Sequence, residues 1–256
     1  MVVVRATELG RRILALAAAV LLVGLAIDWG LQAMRSEAAA ALRKEVVARV
    51  PTSERTVALT FSLDAADAAQ AQSVRQVLDG FAVPATFFVT AAVARTEPGL
   101  IQGLVGAGDE VEPTAVPLPG TATAQSWQTS LLQDVEVVEG QSGHRPSFVR
   151  PPAGTLPAGF LSAATALGLT VTGAAIDPGD QVEPGVDVII NRTLAALRPG
   201  AIILLHATPQ TAAALPAIID GLRSQGYTMV TLRGLFALTS GQVTVRSDTS
   251  ALAAVG

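Results

Sequence analysis

The sequence predicts an α/β fold, a parallel sheet covered by helices, preceded by one N-terminal transmembrane helix. Apolar, β-branched stretches recur along the body, as at residues 57–61, 85–89 and 201–205. Segments with apolar residues at helical spacing lie between them. Strands that alternate with helices and lack a polar face belong to a parallel sheet buried on both sides. Ahead of the body, residues 13–27 form an unbroken apolar run of 15 residues entered by Arg11 and Arg12.

A spanning helix needs about 20 mostly apolar residues. The core of a cleaved signal peptide needs about 7–15. The run falls between these lengths, and beyond Asp28 its apolar character continues through Trp29, Leu31 and Met34. The best small-residue cleavage site, at 38–40, is far from the end of the run. An uncleaved signal anchor over 12–34 is therefore expected. Arg5, Arg11 and Arg12 make the tail 1–11 basic. A short basic tail stays inside, which places the body outside the cytoplasm, in the cell envelope. Residues 35–54 read as a membrane-proximal helix and linker. Leu42, Val46 and Val50 share one stripe, and Pro51, Thr52 and Ser53 end it.

The body spans 55–238. Strand 57–61 precedes a helix with Val74, Val77, Leu78 and Phe81 on one face. Strand 85–89 follows, then helix 98–106 and a short strand near Glu110 and Val111. Residues 113–123 are rich in Pro, Thr and Gly and read as loop. A helix over 125–138, strands at 147–150 and 170–176 and a helix at 158–167 come next. A helix near 188–197 precedes strand 201–205. The following helix carries Leu215, Ile218, Ile219 and Leu222, with Pro216 at its start and Gly226 at its stop. Strand 227–232 is the last, and 239–256 reads as a loose tail. The pattern alone leaves barrel and open sheet both open.

Composition narrows the chemistry. With 17 Lys plus Arg against 21 Asp plus Glu, the 256-residue chain carries a formal charge of -4, which argues against a nucleic-acid partner. The absence of Cys excludes disulfides, thiolate-bound zinc, iron–sulfur clusters and thiol catalysis. Only two His are present, His144 and His206, so no three-His zinc site can form within one chain.

Several motifs go beyond pattern. They are Thr60-Phe61, the strand ending Thr86-Phe87-Phe88-Val89, and Phe148-Val149-Arg150-Pro151-Pro152. Ile176-Asp177-Pro178-Gly179-Asp180 and Leu204-Leu205-His206 follow. In this order and spacing the chain resembles the polysaccharide deacetylase family of carbohydrate esterases over residues 55–235. The resemblance implies a distorted (β/α) barrel of the polysaccharide deacetylase type, with a groove at the carboxyl ends of its strands. Asp64, Pro151 and Leu204 would line that groove. It implies removal of acetyl groups from N-acetylated polysaccharide or peptidoglycan. The family uses a divalent metal such as zinc, held by an Asp and two His, with a second Asp as base on the metal-bound water. A His, supported by an Asp and an Arg, protonates the leaving amine. His206, Asp177 and Arg150 occupy those last three positions.

The metal half departs from the family pattern. Ser62 stands at the base position and Leu63 at the metal-Asp position. The family's Gly-His-Glu-x-Gly-Asn-His-x-x-x-His stretch aligns with 108–118, which puts Thr114 and Leu118 at the ligand His positions. No cofactor is therefore expected. Three functions remain open. The first is a pseudoenzyme that binds a glycan or a partner. The second is a hydrolase with a relocated metal site drawn from Asp64, Asp109, Glu110 and Glu112, an oxygen-rich set suited to a hard cation. The third is a metal-free hydrolase with Ser62 as nucleophile and His206 as base. Arg150 and Asp177 also suit purely structural ion pairs at strand ends. His144 reads as a solvated loop residue.

Overall fold

The computed structural model describes residues 46–63, 68–152 and 155–238. The readings at 12–34 and 239–256, and Asp64, lie outside them. The chain divides into units at 1–44 and 45–256, and the described residues belong to the second. Among the described residues no helix is long and apolar enough to cross a membrane.

The seven strands among the described residues are parallel wherever they pair. β1 (Thr56–Leu63) is the hub. It pairs with β2 (Thr86–Val89) and β6 (Ile202–His206), and its first three residues pair with β7 (Thr228–Val230). β3 (Glu110–Pro113) adds to β2. β4 (Phe148–Val149) and β5 (Thr170–Val171) form a second, two-stranded sheet. Isolated bridges join the two sheets: Thr114 with Arg150, and Ile176 with Ile203. The pairings run in a ring, which is the distorted barrel that the resemblance implies.

Alternation along β1 sorts the two faces. Val57, Leu59, Phe61 and Leu63 are all buried in the main core, with residues of α1 (Ala68–Phe81) and α7 (Pro209–Ser224). Phe61 stacks on Phe87 with ring centroids 5.1 Å apart. Ala58, Phe88 and Ile202 take the opposite face and pack with Val50, Phe148 and α8 (Leu232–Ala237). The remaining helices are α2 (Ala91–Thr96), α3 (Pro98–Gly106), α4 (Ala124–Ser142), α5 (Phe160–Ala166) and α6 (Val186–Ala195).

Several elements differ from the sequence reading, among them α2 and α8, which it left unassigned. α7 starts at Pro209, where the Thr208 side chain accepts from the Thr211 N–H, and Pro216 lies inside the helix rather than at its start. β5 ends at Val171, and only bridges continue the strand expected to reach 176. The helix expected over 35–50 is not formed at 46–50. That segment is instead an extended strap between β5 and β6. Val47 N donates to Val171 O at 2.9 Å, and Gly173 N to Val47 O at 3.0 Å. On the other side Val50 N donates to Gly200 O at 2.8 Å, and Ile202 N to Ala48 O at 3.2 Å. The apolar residues that suggested a helical stripe are used as strand residues, and Val50 is 1% exposed.

Gly200 is the residue that admits the strap. Its φ is +75°, and a Cβ there would overlap the Val50 carbonyl. Gly200→Ala is therefore expected to destabilise the protein by more than about 1 kcal/mol, a fall in Tm of about 2–4 °C. A chain beginning at Thr52, which lacks the strap, should melt below one beginning at Glu45. Thermal unfolding followed by circular dichroism checks both, and equal melting temperatures would mean that the strap does not stabilise the barrel.

Candidate functional site

The carboxyl ends of β1, β3, β4 and β6 bring Ser62, Thr114, Arg150 and His206 to one rim. Ser62 and His206 are register partners on adjacent strands, so their side chains share a face. Leu204 is two residues before His206 on that face and is half-buried, as is Pro151 beside Arg150.

His206 is held by Asp180, not by Asp177. Asp180 is fully buried and accepts three hydrogen bonds. Its Oδ1 lies 2.9 Å from His206 Nδ1, and its Oδ2 accepts from His206 N at 2.7 Å and from Thr211 Oγ1 at 2.7 Å. A carboxylate only accepts, so Nδ1 carries the proton and Nε2 is the nitrogen left to meet a ligand. The His206 side chain is 21% exposed.

Asp177 has a different task. It is exposed, and its Oδ1 accepts from Gly179 N at 2.9 Å, closing a local turn. Gly179 has φ +71°, and Arg192 donates to Pro178 O at 2.9 Å. This turn swings Asp180 inward. The two Asp residues of the 177–180 stretch are three apart, and only the folded turn tells which one faces His206. Asp180, Thr211 and Thr60 are the site residues that sequence reasoning missed. Asp180 stands inside the 176–180 motif, whereas the two Thr gave no signal.

Arg150 is 7% exposed. Its Nη1 donates to Ser62 Oγ at 2.9 Å and its Nη2 to Thr60 Oγ1 at 2.7 Å, and its Cζ lies 4.1 Å from the Phe88 ring centroid. Burial pulls its pKa down to about 9, and the charge of Asp177 opposes this. The guanidinium stays charged at neutral pH. Among the described residues it has no carboxylate within ion-pair distance, so the structural ion pair considered for Arg150 is not formed. Ser62, at the position of the family's base, gives it a neutral acceptor.

The family's metal does not fit these residues. Leu63 offers no donor atom, is 1% exposed and lies on the core face of β1. Thr114 is engaged through its backbone, its N–H donating to Val89 O at 2.9 Å. Leu118 is half-buried in a loop, in a shallow cavity with Thr123, Ser126 and Thr129. Among the described residues no three His, Asp or Glu side chains are grouped to hold a metal.

Of the carboxylates considered for a relocated site, the three described ones, Asp109, Glu110 and Glu112, face other tasks. Asp109 Oδ1 accepts from Ala85 N at 2.9 Å at the start of β2, and burial raises its pKa to about 6. Glu110 accepts from Thr86 Oγ1 and from Arg233 N and Nε. Glu112 Oε2 accepts from Ser147 N at 2.9 Å and Phe148 N at 3.0 Å, bridging the seam between β3 and β4. Burial and the adjacent Glu110 push its pKa up to about 9. Arg233 Nη2 lies 3.7 Å from Glu112 Oε1, but that side chain is 57% exposed and too screened to reverse the effect. His144 is exposed, with its Nδ1 3.0 Å from Ser142 O.

Known proteins share this architecture. Residues 49–172 match the polysaccharide deacetylase family model. The chain is 32% identical over 204 residues to a chitooligosaccharide deacetylase of Sinorhizobium fredii, covering 71% of this chain and 92% of that protein. A peptidoglycan N-acetylglucosamine deacetylase structure superposes with a TM-score of 0.71 at 25% identity, covering 78% of this chain and 96% of that one. A mutant CE4 family pseudoenzyme with restored enzymatic activity superposes with a TM-score of 0.69 at 25% identity, covering 73% and 69%.

Two outcomes test this geometry. Asp180→Ala strands three buried donors and should cost about 3 kcal/mol or more, whereas Asp177→Ala should cost less than about 1 kcal/mol. Urea unfolding measures both, and the reverse order would restore Asp177 as the partner of His206. Glu112→Gln keeps an acceptor for Ser147 and Phe148 but cannot titrate. A carboxyl whose folded pKa is raised contributes most below its unfolded value, and its contribution falls as pH rises. The stability of the natural chain relative to Glu112→Gln should therefore fall steadily between about pH 4.5 and 9. A flat difference would mean that Glu112 is ionised throughout.

Proposed function

Because the chain belongs to the polysaccharide deacetylase family, we propose that it is a divergent envelope member that binds polysaccharide or peptidoglycan without removing acetyl groups. The observation that carries this reading is Leu63. An apolar side chain packed into the core at the metal-Asp position gives a metal nothing to bind, and Ser62, Thr114 and Leu118 compound the loss. The half of the site that would meet the sugar nitrogen keeps its order, with His206 locked on Asp180. A neighbour of the same fold is a mutant CE4 family pseudoenzyme with restored enzymatic activity, so pseudoenzymes occur on this fold. The names of the relatives, which refer to chitooligosaccharide and peptidoglycan, suggest the ligand class.

In this reading the groove recognises an N-acetylated glycan through His206 Nε2 and the Ser62 hydroxyl, which Arg150 orients. Residues 12–34 anchor the protein in the membrane with its body outside the cytoplasm. The metal supplies an activated water in active relatives, and no step here is assigned to it.

Incubating the full chain with N-acetylated chitooligosaccharide, with and without added zinc or manganese, tests the reading. We expect calorimetric binding without acetate release, and His206→Ala should weaken binding about tenfold. Stoichiometric acetate release on adding metal would contradict the pseudoenzyme reading. Acetate release without metal, together with labelling of Ser62 by a serine-reactive probe, would instead support the Ser62 nucleophile.

A further inference from the structure

Arg150 reaches from the end of β4 to β1, and its terminal nitrogens meet hydroxyls there, Ser62 Oγ at 2.9 Å and Thr60 Oγ1 at 2.7 Å. Its Nε is buried and makes no hydrogen bond. Among the described residues no carboxylate pairs with it. A buried cation without an anion is costly, and burial pulls this one's pKa down to about 9. The two hydroxyls differ in what they leave over. Arginine only donates, so each hydroxyl accepts from it and keeps its own hydrogen. Thr60 gives that hydrogen to Ile203 O at 2.7 Å. Ser62 gives its hydrogen to no described residue and is half-buried. β2 and β6 flank Ser62 on its two edges, so the surface it exposes is that of its side-chain face.

We propose that this rim takes a uronic acid, its carboxylate accepting from the Ser62 hydroxyl and a hydroxyl of the same ring donating to His206 Nε2. The inference rests on the reading of the rim as a glycan site and names the class of sugar. Through Ser62 the carboxylate stands one hydroxyl away from the guanidinium, roughly 5 Å, a range at which opposite charges attract strongly in a dry wall. A neutral amide carbonyl could accept the same hydrogen bond, but it gains nothing from the charge of Arg150. His206 is the register partner of Ser62, and neighbouring strands lie about 4.8 Å apart. One pyranose ring spans that gap, provided that the carboxylate is borne by the ring itself. Asp180 fixes the proton on Nδ1, so Nε2 accepts and complements a sugar hydroxyl. Thr114, half-buried on the same rim and bridged to Arg150, offers a further hydroxyl. The described carboxylates nearby leave Arg150 unneutralised. Asp177 attracts it from an exposed position, where solvent screens the charge. Asp180 is taken up by its three donors.

A carboxylate built into the chain tests the energetic premise without any ligand. Ser62→Asp places an anion at the atom that Arg150 Nη1 already contacts. That variant should melt about 2–4 °C above Ser62→Asn, which has nearly the same size and no charge. It should also lose uronic acid binding, because the added carboxylate takes the ligand's place.

Calorimetric titration of the full chain at pH 7 with glucuronate and with its methyl ester tests the ligand. The ester keeps the ring and its hydroxyls and removes the charge. Glucuronate should bind saturably and at least about tenfold tighter than the ester, and Ser62→Ala should weaken it about tenfold. Absent or equal binding of acid and ester would overturn the proposal. So would an unchanged glucuronate affinity in Ser62→Ala or Ser62→Asp, or a Ser62→Asp chain that melts no higher than Ser62→Asn. N-acetylated chitooligosaccharide, titrated alongside, separates the two readings. Binding of that glycan with no preference for the acid defeats this inference alone, whereas binding of neither defeats the glycan reading of the rim as well.

Discussion

A carboxylate with no access to water has to be fully bonded, and Asp180 meets that condition by gathering three chain segments. It takes the backbone N–H and the ring Nδ1 of His206 at the end of β6, and the Thr211 hydroxyl in the first turn of α7. Thr211 also contacts Thr208, the residue that caps α7. The strand end, the helix start and the loop at 177–182 are thus tied to one buried group. The tautomer of His206, and which of its nitrogens meets a ligand, follow from the same bonds.

The opposite side of the rim shows what happens when a polar constellation is replaced piece by piece. Ser62 and Leu63 are adjacent on β1, so they point to opposite faces. The serine stays at the rim and takes a hydrogen bond from Arg150, while the leucine joins the row Val57, Leu59 and Phe61 in the core. Arg150 keeps its charge through two hydroxyl acceptors and the face of Phe88, although burial works against it. The rim therefore holds a stable arrangement of polar groups, with no ligand set for a metal among the described residues.

Much of this fold is legible in the sequence because its strands are apolar on both faces. The runs at 57–61, 85–89 and 201–205 correspond to β1, β2 and β6, and the helix at 98–106 matches α3. The illegible parts have physical reasons. The strap at 46–50 carries residues that suit a helix, and tertiary pairing with β5 and β6 overrides that preference. Pro216 looks like a helix start, but Thr208 and Pro209 provide one a full two turns earlier. α2 and α8 are six residues each, too short to show a period. At the site, Arg150 and His206 were legible from their motifs. Asp180 was not separable from Asp177, because the choice between them rests on a left-handed glycine turn. Asp109, Glu110 and Glu112 looked like metal donors, and the backbone partners of Asp109 and Glu112, at Ala85, Ser147 and Phe148, are distant in sequence.

Everything proposed for this rim rests on its keeping the Asp180–His206 pair while having lost the donors for the family's metal. Anomalous diffraction at the zinc edge, from crystals of the protein grown with excess zinc, tests this directly. We expect no anomalous peak at coordination distance, about 2.0–2.2 Å, from the side-chain oxygens of Ser62 or Thr114. A fully occupied zinc site there, whatever its other ligands, would contradict the loss of the metal site.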